Sequence, residues 1–312
     1  MIPVEKMAAR LLNRHNLKPP FNLEALASNY ASIEYHEFPF SADGITIGIG
    51  GNERPQILIN SHSPETRKKF TLAHELGHVI IPWHTGTIIS HLNHLGTHLE
   101  YRDMESEANQ FAAELLIPQS WLHGLEDNFY SVEALIKTVL KDTGVSRDAA
   151  FIKIFNTIRT PIVCAWIHSN GDFIKDFRTN TAPSSASFHG KNILNQKIFL
   201  TASSEEIFTL GDRLYKAWMF DQIKFDEIDP RPWRDILNQI LDETGKQHLL
   251  GSINAILPNK YCSNKDMPEQ ELCSLVMQTY DGRDNLNDVV SHPLFSQYII
   301  KRIKELVARN KK

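Results

Sequence analysis

The segment from Phe70 to His84, FTLAHELGHVIIPWH, constrains the fold more than any other part of the chain. Apolar residues surround its first two histidines, so a helix with this sequence is apolar on nearly all faces and belongs in a core. Residues four apart lie one turn apart on the same helix face. The segment therefore predicts a buried helix that presents His74 and His78 side by side and ends at Pro82.

Glu75 completes an H-E-x-x-H pattern, in which two histidines bind zinc and the glutamate acts as a general base. Zinc lowers the pKa of a bound water towards about 7, and the glutamate takes the proton as the water attacks a carbonyl. Three fixed positions also recur by chance, but two buried histidines without partners are costly. Gly77 weakens the helix by about 1 kcal/mol relative to alanine, which is explained if another backbone or a substrate passes close to it. This context favours a metal site.

A zinc site with an open position needs a third protein ligand, and the next strong helix, MESEANQFAAELLIP, offers carboxylates. Glu105 lies within about 60° of the centre of its apolar face, Glu107 lies about 100° away, and Glu114 lies further round. Asn109, one turn after Glu105, is placed to hold a carboxylate or a ligand histidine. We predict Glu105 as the third ligand, with Glu107 as the second choice. The remaining alternatives are Glu100, Asp103 and the loop histidines His84, His91, His94 and His98, which we interpret as solvated, although one of them could stabilise an oxyanion.

A length of 312 residues favours two domains over one core, and the pattern changes at Pro161. The first domain, 1–160, is predicted to be α+β, with short helices, a small sheet with hairpin turns at SADG and GGNERP, and then further helices. The second, 161–312, is predicted to be mixed α/β. It begins with IVCAWIHSNGDFIKDF, a β-hairpin around an Asn-Gly turn. From Ser203 onward we expect mainly helices, broken at DPRP and around LPNKYCSNKDMPEQ.

Composition narrows the class of protein. A hydrophobic share of 42% and a charged share of 22% are typical of a globular chain, and no apolar run approaches the roughly 18 to 20 residues of a membrane span. The N-terminus lacks the continuous apolar stretch of a signal peptide. Three cysteines without a C-x-x-C pair indicate a reducing cytoplasm. The net charge of −4 predicts no general attraction to nucleic acid or anionic membrane.

The stretch INSHSPETRKKFTLAHELGHVII, followed by ESEANQFAAELLIP, resembles the ImmA/IrrE family of zinc metallopeptidases. The resemblance extends from about residue 40 to about residue 120. It implies a zincin-like domain in which His74, His78 and Glu105 bind Zn²⁺ and Glu75 is the base. It also implies a cytoplasmic enzyme that cleaves a helix-turn-helix repressor in a stress, phage or mobile-element response. The predicted hairpin after Pro161 is similar to a strand pair that follows the peptidase core in longer members, some of which carry a GAF-type sensor.

Two classes of function stay open on the sequence alone. One is a zinc endopeptidase, and the other is a metal-stabilised binding module that sequesters a partner protein without cleaving it. Glu75 favours hydrolysis, since a pure binding site has no need of a carboxylate beside the first ligand.

Tyr101, His123 and Tyr130 are equal candidates for an oxyanion donor. We expect 161–312 to respond to an activating signal, either a nucleic acid, a small molecule or a partner. Cys164 could be a thiolate that silences the metal, but its strand predicts a buried, inert thiol.

Overall fold

The computed structural model describes residues 1–90, 99–183, 188–221, 226–265, 267–281 and 283–310. The chain forms two compact units, Met1–Ile158 and Arg159–Lys312. The elements of the first unit are α1 (Pro3–Arg14), α2 (Leu23–Ala27), β1 (Ser32–His36), β2 (Gly44–Ile49), β3 (Gln56–Asn60), α3 (Glu65–Ile80), β4 (Gly86–Ser90), α4 (Leu99–Leu116), α5 (Gln119–Glu126), α6 (Val132–Thr143) and α7 (Arg147–Thr157).

The sheet of the first unit has the strand order β1-β3-β2-β4. The predicted hairpin at GGNERP is confirmed, because β2 and β3 pair antiparallel. The predicted hairpin at SADG is wrong, because β1 pairs with β3 in parallel and not with β2. Strand β4, which pairs antiparallel with β2, is absent from the prediction. Exposure and burial alternate from Thr87 to Ser90, but an isoleucine is exposed and a serine is buried, so the alternation is hidden in the sequence GTIIS.

Helix α3 begins at Glu65, with Pro64 at its N-cap position. Other local capping signals agree with the structure. Ser131 accepts a hydrogen bond from the backbone N–H of Ala134, and it caps α6. A left-handed glycine, Gly144, ends that helix.

The close contact between α3 and α4 is made at Gly77. A Cβ atom at this position would lie 3.4 Å from Cα of Ala108 and 3.1 Å from Cδ1 of Phe111. The expectation that another backbone passes close to this glycine is therefore confirmed. The missing side chain lets α4 approach α3 over the turn that carries both histidines.

The second unit begins with strands and ends with helices. Its elements are β5 (Ile162–Ile167), β6 (Phe173–Arg178), β7 (Ser204–Leu210), β8 (Arg213–Met219), α8 (Trp233–Thr244), α9 (Leu250–Ser263), α10 (Glu269–Tyr280), α11 (Asn287–Val290) and α12 (Phe295–Asn310). The strands form an antiparallel sheet in the order β6-β5-β8-β7. Asp281, which follows α10, joins the two halves of this unit by accepting hydrogen bonds from the backbone N–H groups of Leu200 and Thr201.

One expectation for the second unit is wrong and another is met in a shifted position. The segment from Ser204 to Met219 is a β-hairpin around the left-handed Gly211, where the sequence favours helix. The break predicted around LPNKYCSNKDMPEQ is present between α9 and α10, but it comes after Ser263, and α9 itself continues through Pro258. Leu257 and Tyr261 on either side of the proline pack into the helical core, and this burial outweighs the local preference.

We predict that Gly77→Val destabilises the first unit, whereas Gly124→Ala does not. The valine must displace α4, and overpacking of this kind costs about 1 to 3 kcal/mol. A Cβ atom added at Gly124 in α5 would have no neighbouring atom within 4 Å, so alanine there should stabilise the helix by up to about 1 kcal/mol. Urea unfolding of the two variants and the wild type measures both changes. Equal stability of Gly77→Val and wild type would contradict the packing described above.

Candidate metal centre

Helix α3 carries three polar side chains into the core of the first unit. His74, Glu75 and His78 are all fully buried. The Nε2 atoms of the two histidines lie 3.0 Å apart. A helix that buries three titratable groups beside one another needs partners for them, since unpaired buried polar groups are destabilising.

Glu105 on α4 meets both histidines. Its carboxylate oxygens lie 3.4 Å from Nε2 of His74 and 3.3 Å from Nε2 of His78. One potential ligand atom from each of the three residues lies within 4.8 Å of the others. The contact at Gly77 places Glu105 here, because it brings α4 against the same turn of α3.

Each histidine also has a partner on its second ring nitrogen. Nδ1 of His74 lies 3.0 Å from Oδ1 of Asn109. Nδ1 of His78 lies 2.8 Å from Nδ1 of His84. The Nε2 atoms of both histidines thus face Glu105, and the contacts at Nδ1 fix the orientation of the two rings.

Glu75 lies against the sheet. Oγ1 of Thr46 on β2 donates a hydrogen bond to Oε2 of Glu75 at 2.5 Å, while Oε1 is buried without a hydrogen-bond partner among the described residues. Gly44 lets β2 come this close, since a Cβ atom there would overlap the Glu75 carboxylate and lie 2.7 Å from Cγ2 of Thr71. Burial raises the pKa of Glu75 to about 7, against the opposing effects of His74 and Thr46.

The electrostatics of the three-residue cluster suit a cation. Burial opposes ionisation of Glu105, but its close contacts with His74 and His78 lower its pKa to about 2. Burial lowers the pKa of His78 to about 4. Burial opposes protonation of His74, but Glu105 and Glu75 raise its pKa, so a metal ion bound here would displace a proton from this imidazole.

The geometry of the cluster fits a zinc ion. Bonds of about 2.0 to 2.1 Å in a tetrahedral arrangement require ligand atoms about 3.3 to 3.4 Å apart. The separations of 3.3 and 3.4 Å between Glu105 and the histidines match this requirement, and the histidine pair at 3.0 Å is slightly closer. Two imidazoles and one carboxylate leave a fourth position open, as in catalytic zinc sites.

The other ligand candidates from the sequence lie elsewhere or have other partners. Glu107 lies 3.0 Å from His84. Glu114 forms an ion pair with Lys153 at 2.7 Å and accepts from the backbone N–H of Gln119. Asp103 is exposed. His91, His94 and His98 lie outside the described residues, as does the side chain of Glu100.

The interpretation of His84 as a solvated loop residue is wrong. This side chain is 1% exposed and contacts a ligand candidate. Thr46 and Gly44 were also missed, although a glycine within a strand signals a close approach of another group. Thr46 and Gly44 contact Glu75 because β2 packs against α3, and no local pattern in the sequence predicts this packing.

Cys164 lies in β5 of the second unit and is fully buried. Burial raises the pKa of its thiol well above the ordinary value. This environment favours an inert thiol over a thiolate ligand.

Comparison with known families agrees with the geometry. Residues 24–155 match the sequence model of the IrrE N-terminal-like domain, Peptidase_M78. These residues belong to the ImmA/IrrE family. The ImmA/IrrE domain points to a metallopeptidase, and its His74, His78 and Glu105 cluster indicates a metal ion.

Wider comparisons add little to the ImmA/IrrE match. A Mycobacterium tuberculosis transcriptional regulator of known structure is similar at 13% identity with a TM-score of 0.38, over 70% of this chain and 76% of that chain. A likeness at that level does not inform function. A search of curated proteins gives no significant match. Among the described residues of the whole chain, no helix is long and apolar enough to cross a membrane.

We predict that Glu105→Ala and His74→Ala weaken zinc binding by more than the roughly 10- to 100-fold typical of outer-shell partners. Each change removes a donor from the three-residue cluster. Asp103→Ala, an exposed position on the same helix, is the matched control and should bind zinc as the wild type does. Competition with a chromophoric chelator measures these affinities. Full zinc occupancy in His74→Ala under competition would refute the ligand assignment.

Proposed function

We propose that residues 1–160 form a zincin-like, zinc-dependent endopeptidase that cleaves a regulatory protein. The observation that carries this proposal is Glu75, a buried carboxylate next to the three-residue cluster with one oxygen held by Thr46 and the other without a partner among the described residues. A binding module that used metal only for stability has no need of such a group. Asn109 supports the site by orienting His74.

The residues around the cluster can perform peptide hydrolysis. His74, His78 and Glu105 would hold the zinc ion, which supplies Lewis acidity to a water molecule and a peptide carbonyl. Glu75 accepts the proton of the attacking water and returns it to the leaving amine. The hydrogen bond from Thr46 keeps this carboxylate oriented during both transfers.

Tyr101 is the strongest of the three candidates for an oxyanion donor. It lies one helical turn before Glu105 on α4. Burial and the charges of Glu105 and Glu75 raise its pKa to about 12, so the hydroxyl stays protonated and able to donate. Its hydroxyl donates a hydrogen bond to the backbone carbonyl of Ile89, so it must leave this acceptor to donate to an oxyanion. Tyr130 is 85% exposed, and His123 is paired with Glu126 at 3.0 Å.

The substrate we propose is a helix-turn-helix repressor, cleaved in the cytoplasm during a stress, phage or mobile-element response. Membership of residues 24–155 in the ImmA/IrrE family supports this class of substrate. We propose further that 161–312 restrains the peptidase until it receives a signal, because constant cleavage of a repressor would defeat regulation. That signal would be a nucleic acid, a small molecule or a partner protein.

We predict that co-expression with the nearest encoded helix-turn-helix repressor yields repressor fragments with wild type and intact repressor with Glu75→Gln. The glutamine retains the shape of the side chain but cannot accept the proton, and loss of a general base costs about 10²- to 10⁴-fold in rate. Zinc content should be unchanged in the variant. Equal cleavage by both proteins would exclude the mechanism, whereas intact repressor bound to both would favour sequestration.

We also predict that a chain ending after Ile158 cleaves the same repressor faster than the full chain does. This end lies at the boundary between the two compact units, so the truncation removes the proposed restraint without cutting through a core. Initial rates at equal zinc occupancy provide the measurement. The restraint is refuted if both chains cleave at the same rate and respond alike to cell extracts.

A further inference from the structure

His84 lies at the end of the segment that follows α3, six residues after His78. It is 1% exposed, and its Nδ1 atom lies 2.8 Å from Nδ1 of His78. For two imidazole nitrogens to form a hydrogen bond, one must carry a hydrogen and donate it, and the other must be without hydrogen and accept it.

The second nitrogen of His84 also has a partner. Its Nε2 atom lies 3.0 Å from Oε2 of Glu107 on α4. The same carboxylate oxygen accepts a hydrogen bond from the indole N–H of Trp83 at 2.6 Å. Glu107 has a side chain that is 33% exposed, so a continuous chain of polar contacts runs from the cluster to the surface.

The hydrogen-bond directions in this chain follow from the position of Nε2 in His78. That atom faces Glu105 and His74, and it must be free of hydrogen to bind a metal. The hydrogen of neutral His78 then resides on Nδ1, which donates to Nδ1 of His84. His84 therefore carries its own hydrogen on Nε2 and donates it to Glu107. Each nitrogen and the terminal carboxylate have a compatible role.

We propose that His84 and Glu107 are positioning residues that fix the tautomer and ring orientation of His78 for metal binding. His74 has the corresponding partner in Asn109 of α4. The Nδ1 atom of each ligand histidine is therefore oriented by α4, directly through Asn109 or through His84 and Glu107. Partners of this kind raise the basicity of a ligand imidazole and change metal affinity about 10- to 100-fold when lost. The inference rests on the zinc centre of the proposed function.

This role explains two observations together. Glu107 is not a metal ligand, because its Oε2 atom is occupied by His84 and Trp83. His84 is buried although it lies outside the helix that carries the H-E-x-x-H pattern. Burial of an imidazole in a segment between two elements is unfavourable unless both of its nitrogens have partners.

The test is the zinc affinity of full-length variants, measured by competition with a chromophoric chelator. His84→Ala should bind zinc about 10- to 100-fold more weakly than wild type. His84→Asn places an amide oxygen where Nδ1 lies, so it should recover most of the affinity. His84→Gln extends its amide towards Glu107 and should not. His15→Ala, which breaks a contact with Tyr30 in the same unit, is the matched control and should leave affinity unchanged.

A spectroscopic measurement separates positioning from a general loss of structure. Cobalt-loaded His84→Ala should show altered d–d absorption, whereas cobalt-loaded His84→Asn should resemble wild type. Thermal unfolding of the metal-free variants reports stability alone. Wild-type affinity and spectrum in His84→Ala, or equal loss in His84→Asn and His84→Ala, would overturn the positioning role. A wild-type chain that binds no zinc would instead refute the centre itself.

Discussion

The close approach of α3 and α4 at Gly77 is the constraint on which the rest of the site depends. A Cβ atom there would lie 3.4 Å from Cα of Ala108, and only this small separation lets a carboxylate on α4 reach two imidazoles on α3. Glu105 and Asn109 follow from it, because they lie one turn apart on the face of α4 that meets the histidines. The helix gives up about 1 kcal/mol of intrinsic propensity for this geometry.

The site also shows how buried polar groups are accommodated in an apolar core. His74, His78 and His84 are almost completely buried. Both ring nitrogens of each histidine have a polar contact. The two carboxylates differ from them, because Oε1 of Glu75 and Oε1 of Glu105 have no hydrogen-bond partner among the described residues, and of the two only Glu75 lies outside the three-residue cluster. A carboxylate that keeps an open acceptor in a buried site is suited to take a proton, and this difference is the basis for assigning it a chemical role.

The sequence predicts those features that depend on one helix and misses those that depend on the sheet. The spacing of His74 and His78 follows from helix periodicity, and Glu105 follows from the apolar face of α4. The parallel pairing of β1 with β3 could not be predicted, because nothing local distinguishes it from a hairpin. Thr46 reaches the site only through such a long-range contact, and the position of His84 depends on the irregular segment after α3 and on Glu107 of α4. The apolar residues of β7 and β8 are compatible with the spacing of a helix as well as with the alternation of a strand. The prediction of a helix there was therefore wrong.

X-ray absorption at the zinc edge of the zinc-loaded full chain is the most direct test of the central claim. The cluster of His74, His78 and Glu105 predicts a first shell of nitrogen and oxygen at about 2.0 to 2.1 Å, with the outer-ring scattering of two imidazoles. Glu105→Ala should reduce the number of oxygen neighbours or release the metal. Sulfur at about 2.3 Å, or a first shell without imidazole scattering, would contradict the account.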